Sequence, residues 1–279
     1  MTAATFDAQA VDFDRRAGLP AGVAARVAAA VAELAPPDGG VLLDLGAGTG
    51  QIGEHLARAC GTHGRRRYLG IDLSGRMLAV FRRKLGAGDG AWGALVRADA
   101  AARWPVAGGR VGLLFSSRAA HLLPAALLVD EALRVASPRG AVAVFGGVRS
   151  PPESLRAVLR RQMRRLLSQH GFAGRDAEAS RRRLAAALAA RGGEVLPPCT
   201  AASWRVVHRA ADTLAGWRAK AGLGGKDVTP EVQEGVLRRL EDWIRERYGS
   251  LDVSGGAVER YELAAVRLPV RSHDLEGTA

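Results

Sequence analysis

Three aspartates in the first hundred residues each follow a short apolar run. They are Asp44, Asp72 and Asp99. Short apolar runs bounded by glycine are typical of buried strands in a parallel sheet. Ligands of such sheets bind beyond the carboxyl ends of the strands, where carboxylates can accept hydrogen bonds from a ligand. These positions are therefore candidates for a binding site.

The stretch from Val41 to Gly50 combines one of these aspartates with a glycine-rich turn. Its sequence, Val-Leu-Leu-Asp-Leu-Gly-Ala-Gly-Thr-Gly, places glycine at every second position after the apolar run. Glycine lets the backbone come close to a ligand because it has no Cβ atom, and positive φ angles cost it little. We predict a strand, a ligand-binding turn and a helix that begins near Gln51 and ends at about Arg58.

Two other interpretations of this turn remain open. Gly48, Gly50 and Gly53 also fit the dinucleotide-binding pattern G-x-G-x-x-G, which by itself is a weak signal. That register leaves Asp44 without a role, and its carboxylate would repel a pyrophosphate but would suit a cationic ligand. The glycines could also serve only to make an ordinary connection between a strand and a helix.

Asp72 ends a predicted second strand over 67–72, and Ser74 is a predicted N-cap for a helix over 75–85. An acid at this point can accept two hydrogen bonds from a ribose diol, which is a charge-assisted and geometrically selective contact. The alternative is that Asp72 only caps the helix.

His121 is the candidate for a catalytic group. Imidazole has an ordinary pKa near neutrality, which suits removal of a proton from a hydroxyl or amine nucleophile. His121 follows a predicted fourth strand over 111–115 and precedes a predicted helix over 122–136. The alternative is that it only packs at the start of that helix.

The pattern Asp44-x-Gly46-x-Gly48-x-Gly50, followed by Asp72, resembles the first motifs of class I S-adenosylmethionine (SAM)-dependent methyltransferases. The resemblance is to the branch that includes methyltransferase type 11 and the ubiquinone- and menaquinone-biosynthesis enzymes. It implies that the glycine turn passes under the methionine part of SAM and that Asp44 lies near the SAM amino group. It also implies that Asp72 binds the ribose.

The same resemblance implies contacts with the rest of the cofactor. Asp99 would accept a hydrogen bond from the adenine amino group, Leu73 would pack near adenine, and Ser116 would lie near the methionine end. The implied cofactor-binding residues are Asp44, Gly46, Ala47, Gly48, Gly50, Gln51, Asp72, Leu73, Met77, Asp99, Ala100 and Ser116.

The activity that the resemblance implies is transfer of the SAM methyl group to an oxygen, nitrogen or carbon nucleophile of a small-molecule acceptor. S-adenosylhomocysteine would be the product, and no metal would be needed. The SAM sulfonium is a strong methyl donor, so positioning can suffice and a base such as His121 is optional. From Ser116 onward the chain lacks the Asn-Pro-Pro-aromatic motif of base-modifying relatives, which counts against N6-adenine and glutamine methylation.

Strands and helices alternate from Val41 to Phe145, which predicts an α/β fold with a doubly wound, mostly parallel sheet. With a sixth strand over 203–208 and a closing strand over 261–268, the resemblance implies a seven-stranded, Rossmann-like methyltransferase fold with helical insertions forming a lid. We predict a single domain, 1–279. Its core would cover about 36–149, 200–209 and 257–270, and its insertions about 150–192 and 210–252.

Turn residues and apolar spacing predict the remaining elements. They are strands over 93–97 and 141–145, a helix over 20–34, a break at 36–40, a turn at 61–64, and helices over 153–170, 176–190, 211–220 and 230–248. Thr229 is a possible cap of the last helix.

Three aromatic residues of the first half have two interpretations each. Phe6 and Phe13 belong to a leading segment that, by the resemblance, folds over the SAM pocket, although they could equally anchor a terminal helix. Trp104 could wall the adenine pocket, but we interpret it as core.

The chain carries a formal net charge of +12. Part of it lies on one predicted helix, in an arginine face formed by Arg156, Arg160, Arg161, Arg164 and Arg165. This face is either a solvated amphipathic surface or a dock for RNA phosphates or an acidic substrate. An RNA methyltransferase is therefore an alternative function, and a SAM-binding protein without transfer activity is another. Abundant Ala, Gly and Arg indicate GC-rich coding, which weakens charge as evidence for RNA.

No apolar run reaches the roughly 20 residues that span a bilayer. Residues 1–14 carry no basic group, unlike a secretory signal. Cys60 and Cys199 have no metal-ligand spacing and are interpreted as inert thiols of a reducing compartment. We therefore expect a cytoplasmic protein with no membrane span, and the sequence does not indicate an oligomeric state.

Overall fold

The computed structural model describes residues 3–37, 40–63, 66–86, 93–172, 177–220 and 222–270. The predictions that involve Asp38, Gly39, Gly64 and Asp176 lie outside these ranges. Within them, strands and helices alternate through the first half of the chain, as the sequence pattern predicts.

Among the described residues, eight strands form one sheet. They are β1 (Val41–Leu45), β2 (Arg67–Asp72), β3 (Gly93–Arg97), β4 (Val111–Ser117), β5 (Ala141–Arg149), β6 (Glu194–Val195), β7 (Cys199–Arg209) and β8 (Ser254–Leu268). β1, β2 and β3 have the predicted bounds, whereas β4, β5, β7 and β8 are longer than predicted. An apolar pattern marks only the buried part of a strand, so half-exposed strand ends such as those of β7 and β8 carry no such signal.

Helices follow most of the strands, and two short ones precede the sheet. They are α1 (Ala3–Gln9), α2 (Phe13–Ala17), α3 (Val23–Glu33), α4 (Gly53–His63), α5 (Gly75–Leu85), α6 (Ala125–Val135), α7 (Leu155–Ser168), α8 (Ala177–Ala189), α9 (Ala210–Arg218) and α10 (Pro230–Tyr248). A 3₁₀ helix covers Ala120–Leu122.

Two predicted helix boundaries are wrong. α4 continues to His63 instead of ending at about Arg58 and giving way to a turn, because Leu56, Ala57 and Cys60 continue a buried helical face. The predicted helix over 122–136 is divided: the 3₁₀ helix ends at Leu122, and α6 begins only after Pro124, which occupies its N-cap position.

The caps of two helices confirm the sequence predictions. The Ser74 hydroxyl accepts a hydrogen bond from the Met77 amide at 3.1 Å, at the start of α5. The Thr229 hydroxyl accepts one from the Val232 amide at 3.4 Å, at the start of α10. Each cap satisfies an amide that the first turn of a helix leaves without a carbonyl partner.

The strands follow the order β3-β2-β1-β4-β5-β8-β6, and β7 also pairs with β8. The pairs β1–β2, β1–β4, β2–β3 and β4–β5 are parallel, which confirms the doubly wound, mostly parallel sheet. The sheet has one strand more than the predicted seven. The addition is the two-residue β6, which pairs antiparallel with β8 and is too short to give a sequence signal.

The chain divides into two compact units. In the part of the chain that the structure describes, the sheet unit contains residues 3–147, 177–202 and 261–270, and the helical unit contains residues 148–172 and 203–260. The core of the sheet unit is built from β1, β4, β5 and α6, and it includes Trp104, which is 2% exposed, as its interpretation as core predicts. A separate apolar core joins α7, α9 and α10 in the helical unit.

Across the described part of the chain, no helix is both long enough and apolar enough to cross a bilayer.

Candidate functional site

The glycine turn after β1 adopts a backbone that favours glycine. Gly46, Gly48 and Gly50 have φ angles of +71°, +57° and +75°. The amides of Gly46 and Ala47 both donate to the Ile71 carbonyl, at 2.8 and 3.0 Å, which fixes the turn to the end of β2. The turn is therefore a rigid part of the sheet edge and not a free loop.

The three glycines are needed for different reasons. A Cβ atom on Gly50 would lie 2.1 Å from the Phe81 ring, and one on Gly46 would lie 2.3 Å from the Ala119 Cβ atom. A Cβ atom on Gly48 would have only the Gly46 carbonyl oxygen nearby, at 3.9 Å. Packing inside the protein thus demands the two outer glycines, whereas the middle one presents open backbone that a ligand can approach.

Asp44, at the end of β1, is buried with one oxygen unpaired. Its side chain accepts a hydrogen bond at Oδ2 from the Tyr68 hydroxyl at 2.6 Å. Among the side chains that the structure describes, Asp44 Oδ1 is the one buried polar atom without a hydrogen-bond partner. Burial raises the pKa of Asp44 to about 7, with a further contribution from the charge of Asp72. An acceptor of this kind is completed by a donor, and best by a cationic one.

Gly53 and Tyr68 explain how Asp44 is held. A Cβ atom on Gly53 would lie 2.4 Å from the Tyr68 hydroxyl and 2.9 Å from Asp44 Oδ2. The Tyr68 ring packs edge-on against Phe81, with ring centroids 5.8 Å apart. Gly53, which completes the dinucleotide-like string, therefore makes room for the Asp44–Tyr68 pair, and sequence reasoning missed Tyr68 entirely.

Asp72, at the end of β2, joins the glycine turn to the next loop. Its Oδ2 accepts from the Gly48 amide at 2.9 Å, and its Oδ1 accepts from the Ser74 amide at 2.8 Å. Burial raises its pKa, and these backbone donors act in the opposite direction. A carboxylate oxygen can accept more than one hydrogen bond, so each oxygen keeps capacity for a ligand hydroxyl. Capping and ligand binding are thus compatible at Asp72.

The remaining predicted cofactor residues occupy three kinds of position. Leu73 and Gln51 are half-buried, whereas Met77 is buried in α5. Asp99 is exposed, and its Oδ1 accepts from the Ala101 amide at 2.8 Å. Ala100 is buried, and its carbonyl accepts from the Trp104 indole at 3.0 Å.

The end of β4 carries two serines with different partners. Ser116 is buried, and its hydroxyl donates to the Leu45 carbonyl at 2.9 Å, so it ties β4 to β1. The Ser117 hydroxyl lies 2.5 Å from that of Tyr261, for which Gly146 leaves room. Burial raises the pKa of Tyr261 to about 12, so this pair is neutral at ordinary pH. His121 is half-buried in the 3₁₀ helix that follows, and its role as a base stays a prediction.

The helical unit has an open cleft of about 770 Å³. It is lined by residues of α7, β7 and β8, among them Leu155, Val206 and Gly256. None of the predicted cofactor residues lines it. Over the described residues, no group of three or more His, Cys, Asp or Glu side chains could hold a metal ion.

The donor and acceptor pattern of this edge fits SAM. The unpaired, buried Asp44 oxygen suits the ammonium group of the methionine part, and Asp72 retains acceptor capacity for ribose hydroxyls. The open backbone at Gly48 leaves space between them. The Asp44 carboxylate would repel a pyrophosphate.

Comparisons with known proteins agree with this geometry. Residues 42–140 match the family model described as a methyltransferase domain. No curated protein matches the chain. A candidate methyltransferase from Bacillus halodurans C-125 has a similar structure, with a TM-score of 0.55 and 17% identity over 87% of this chain and 98% of that one.

Two further solved structures share the fold. A SAM-dependent methyltransferase from Geobacter sulfurreducens in complex with S-adenosylhomocysteine has a TM-score of 0.51 and 16% identity, over 94% of this chain and 98% of that one. The cyclase SpnF has a TM-score of 0.55 and 19% identity, over 97% of this chain and 98% of that one. At these identities the likeness is one of fold.

Residues 42–140 are therefore similar to a methyltransferase domain, and the solved structures add a likeness of fold alone.

Proposed function

We propose that the protein transfers the SAM methyl group to an oxygen, nitrogen or carbon nucleophile of a small-molecule acceptor. The observation that carries the proposal is the edge formed by Asp44 and Asp72, where a buried acceptor without a partner stands beside the open backbone of Gly48. Bound SAM supplies an electrophilic methyl group on a sulfonium centre, and S-adenosylhomocysteine is the product.

The residues of this chain bind and orient the cofactor. Asp44 holds the ammonium group, Asp72 holds the ribose hydroxyls, and Asp99 accepts from the adenine amino group. The glycine turn gives the methionine part a rigid surface to lie on, because the Gly46 and Ala47 amides hold the turn to the Ile71 carbonyl. Orientation of this kind supplies much of the rate acceleration when the donor is already reactive. His121 acts as a base only for acceptors whose nucleophile must lose a proton.

The acceptor is a small molecule and not RNA because the arginine face is partly occupied within the protein. Arg156 donates to Glu259 at 3.0 Å, and Arg161 donates to the Pro152 carbonyl. The Glu259 carboxylate offsets the charge of Arg156, and the Pro152 carbonyl restrains the Arg161 side chain, so both are less available to phosphates.

The test uses SAM labelled on its methyl group. The purified protein is incubated with labelled SAM and a cell extract, which is then divided into RNA, protein and small-molecule fractions. Label in the small-molecule fraction supports the proposal. Label in the RNA fraction would contradict it and support the RNA methyltransferase alternative. Calorimetric binding of SAM with no label in any fraction would indicate a SAM-binding protein without transfer activity. A protein with both Asp44→Asn and Asp72→Ala is the negative control.

A further inference from the structure

Residues 3–18, which we name the N-terminal segment, are fastened to the loops that carry the predicted cofactor residues. Two aspartates of this segment make side-chain hydrogen bonds with loops that follow β1 and β2. A third attachment comes from Arg118, which directly follows β4. All three attachments lie within the sheet unit.

The first attachment reaches the loop after β2. Asp7 accepts a hydrogen bond from the Ser74 hydroxyl at 2.5 Å and another from the Arg76 amide at 3.2 Å. These bonds lower the pKa of Asp7, so it stays ionised. The Ser74 amide also donates to Asp72, so the N-terminal segment contacts the loop that carries the proposed ribose-binding residue.

The second attachment reaches the glycine turn itself. Asp14 Oδ1 accepts from the Thr49 hydroxyl at 2.5 Å, and Asp14 Oδ2 pairs with the Lys84 ammonium at 2.5 Å. Thr49 is 2% exposed and stands between Gly48 and Gly50. A charge-assisted bond to a buried hydroxyl restrains both partners.

The third attachment is a branched arginine contact. The Arg118 guanidinium donates to the Ala17 carbonyl at 2.5 Å and to Gln51 Oε1 at 3.3 Å. It also lies over the Phe13 ring, 5.8 Å from the centroid. Arg118 thereby links both ends of α2 to the first residue after the glycine turn.

The backbone of Arg118 is strained. Its φ angle of +58° makes it the one non-glycine residue with positive φ in the described part of the chain. Such a conformation persists only where surrounding contacts hold it, and it is found most often at functional sites. The Arg118 amide donates to the Gly146 carbonyl at 3.0 Å, and the guanidinium contacts of Arg118 fasten the N-terminal segment.

We propose that Arg118 is a positioning residue that latches the N-terminal segment onto the cofactor loops, so that cofactor exchange requires this latch to open. The inference rests on the proposed function, since it needs SAM and S-adenosylhomocysteine as the ligands of this edge. A segment that must open for exchange slows both entry and exit of the ligand. A contact that only stabilises the fold leaves both rates unchanged.

The probe is S-adenosylhomocysteine, whose release is followed by stopped-flow displacement with excess SAM. We expect Arg118→Ala and Asp14→Asn each to speed dissociation by about fivefold to tenfold, because each removes charge-assisted hydrogen bonds that hold the segment closed. Arg15→Ala is the matched control: it removes an arginine of the same segment whose partner Asp12 is exposed, and its rate should equal that of wild type.

Arg118→Gly separates the latch from backbone strain. Glycine adopts the same φ angle without strain but lacks the guanidinium, so we expect faster dissociation although the fold is not weakened at this position. Hydrogen exchange provides the second readout: amides of 3–18 should lose protection while those of β1 and β4 keep it. Wild-type dissociation rates in both Arg118→Gly and Arg118→Ala would overturn the proposal.

Failure of the latch differs from failure of the proposed function. If wild-type protein gives no calorimetric signal with SAM or S-adenosylhomocysteine, the proposed function is wrong. The latch is then decided by exchange in the ligand-free protein, where unchanged protection of 3–18 in Arg118→Gly would overturn it.

Discussion

Asp44 is a buried acid that a cationic ligand would ionise. Its pKa of about 7 means that it is partly protonated at neutral pH in the free protein. An ammonium group nearby favours the carboxylate, so SAM binding lowers this pKa and releases a proton. We expect SAM affinity to rise with pH from about 5 to about 7, by at most tenfold per pH unit, and then to level off. Calorimetry in buffers of different ionisation enthalpy measures the proton released.

The control for this linkage is Asp44→Asn, which cannot release a proton. The sign of the stability effect is opposite to that of binding. Because the pKa of Asp44 in the folded protein lies above its ordinary value of 3.8, ionisation destabilises the free protein as pH rises from about 4 to about 7. Asp44→Asn should therefore bind SAM weakly at pH 8 yet unfold no more easily than wild type. If SAM binding to Asp44→Asn still released a proton, seen as a binding heat that depends on the buffer, the assignment would be contradicted.

Asp72→Ala tests the other acid. The substitution removes the acceptors for a ribose diol and also those for the Gly48 and Ser74 amides. Charged hydrogen bonds contribute about 1.5–3 kcal/mol each, so we expect SAM affinity to fall by about a hundredfold or more. Asp72→Asn keeps the size of the side chain, so its SAM affinity should lie between those of wild type and Asp72→Ala. Calorimetric affinity equal to wild type in Asp72→Ala would remove this residue from the site.

Gly48 and Gly50 offer a matched pair of substitutions. Gly50→Ala places a methyl group against the Phe81 ring at an unfavourable φ angle, so we expect a loss of about 2–4 kcal/mol in the free energy of unfolding. Gly48→Ala meets no protein atom closer than 3.9 Å, so it should cost only about 1 kcal/mol, from its φ angle. Gly48→Ala should nevertheless abolish SAM binding, because the methyl group occupies the open space beside the Gly48 backbone that the ligand needs. Urea unfolding and calorimetry, run on both variants, separate the two effects.

At the scale of elements, a buried ion pair ties α6 to the chain after Ala100. Glu131 accepts from the Trp104 amide at 2.7 Å and from Arg134 through both oxygens, each at 2.6 Å. Arg134 also donates to the carbonyls of Trp104 and Val106. The side chain of Arg134 lowers the pKa of Glu131, so the pair is charged at ordinary pH. This brace sets the path of the chain just beyond the predicted adenine-binding residues.

Glu131→Gln should therefore destabilise the protein by about 2–4 kcal/mol, since it leaves a mostly buried guanidinium without its carboxylate. The neighbouring Asp130 pairs with Arg191 on the surface, and Asp130→Asn should cost less than about 1 kcal/mol. Because the pKa of folded Glu131 lies below its ordinary 4.5, the pair contributes full stability above that pH and loses it as pH falls further. Urea unfolding at pH 7 and pH 4 should show the difference between wild type and Glu131→Gln shrinking with acid.

The order of elements along the chain was predictable, because local periodicity and glycine spacing encode it. β1, the turn after it, β2 with Asp72, and the Ser74 cap were all foreseen from short stretches. The Asp44–Tyr68 pair was not, because it depends on the register that places Leu42 opposite Tyr68 in the neighbouring strand. The contacts of Asp7 and Asp14 were not foreseen either, since they join residues 67 and 35 positions apart in the chain.

Some residues gave no signal that sequence reasoning could have used. The left-handed backbone of Arg118 could not be predicted from its residue type, since arginine normally avoids that conformation. The family resemblance implies that Ser116 lies near the methionine end, and nothing in the sequence indicates the hydrogen bond that its hydroxyl donates to the Leu45 carbonyl. Long-range pairing decides such details, and local patterns do not carry it.

At the scale of the whole molecule, some of the arginines behind the net charge of +12 have partners within the protein. In addition to Arg156 and Arg161, Arg218 pairs with both Glu234 and Glu241. We expect weak RNA binding, with a slope of log affinity against log salt of magnitude below about 2. Filter binding with a homopolymer RNA between low and physiological salt measures it. A steep slope that Arg161→Glu with Arg165→Glu abolishes would instead restore the RNA alternative.

The two-residue strand β6 has a consequence for how molecules meet in solution. A sheet edge with unpaired backbone groups can add a strand from another molecule and so begin aggregation. β6 offers only two residues at its edge of the sheet, and Glu194 there forms an ion pair with Arg267 of β8. A short, charged edge gives an incoming strand little to pair with, so β6 itself is a poor template for fibrous self-association.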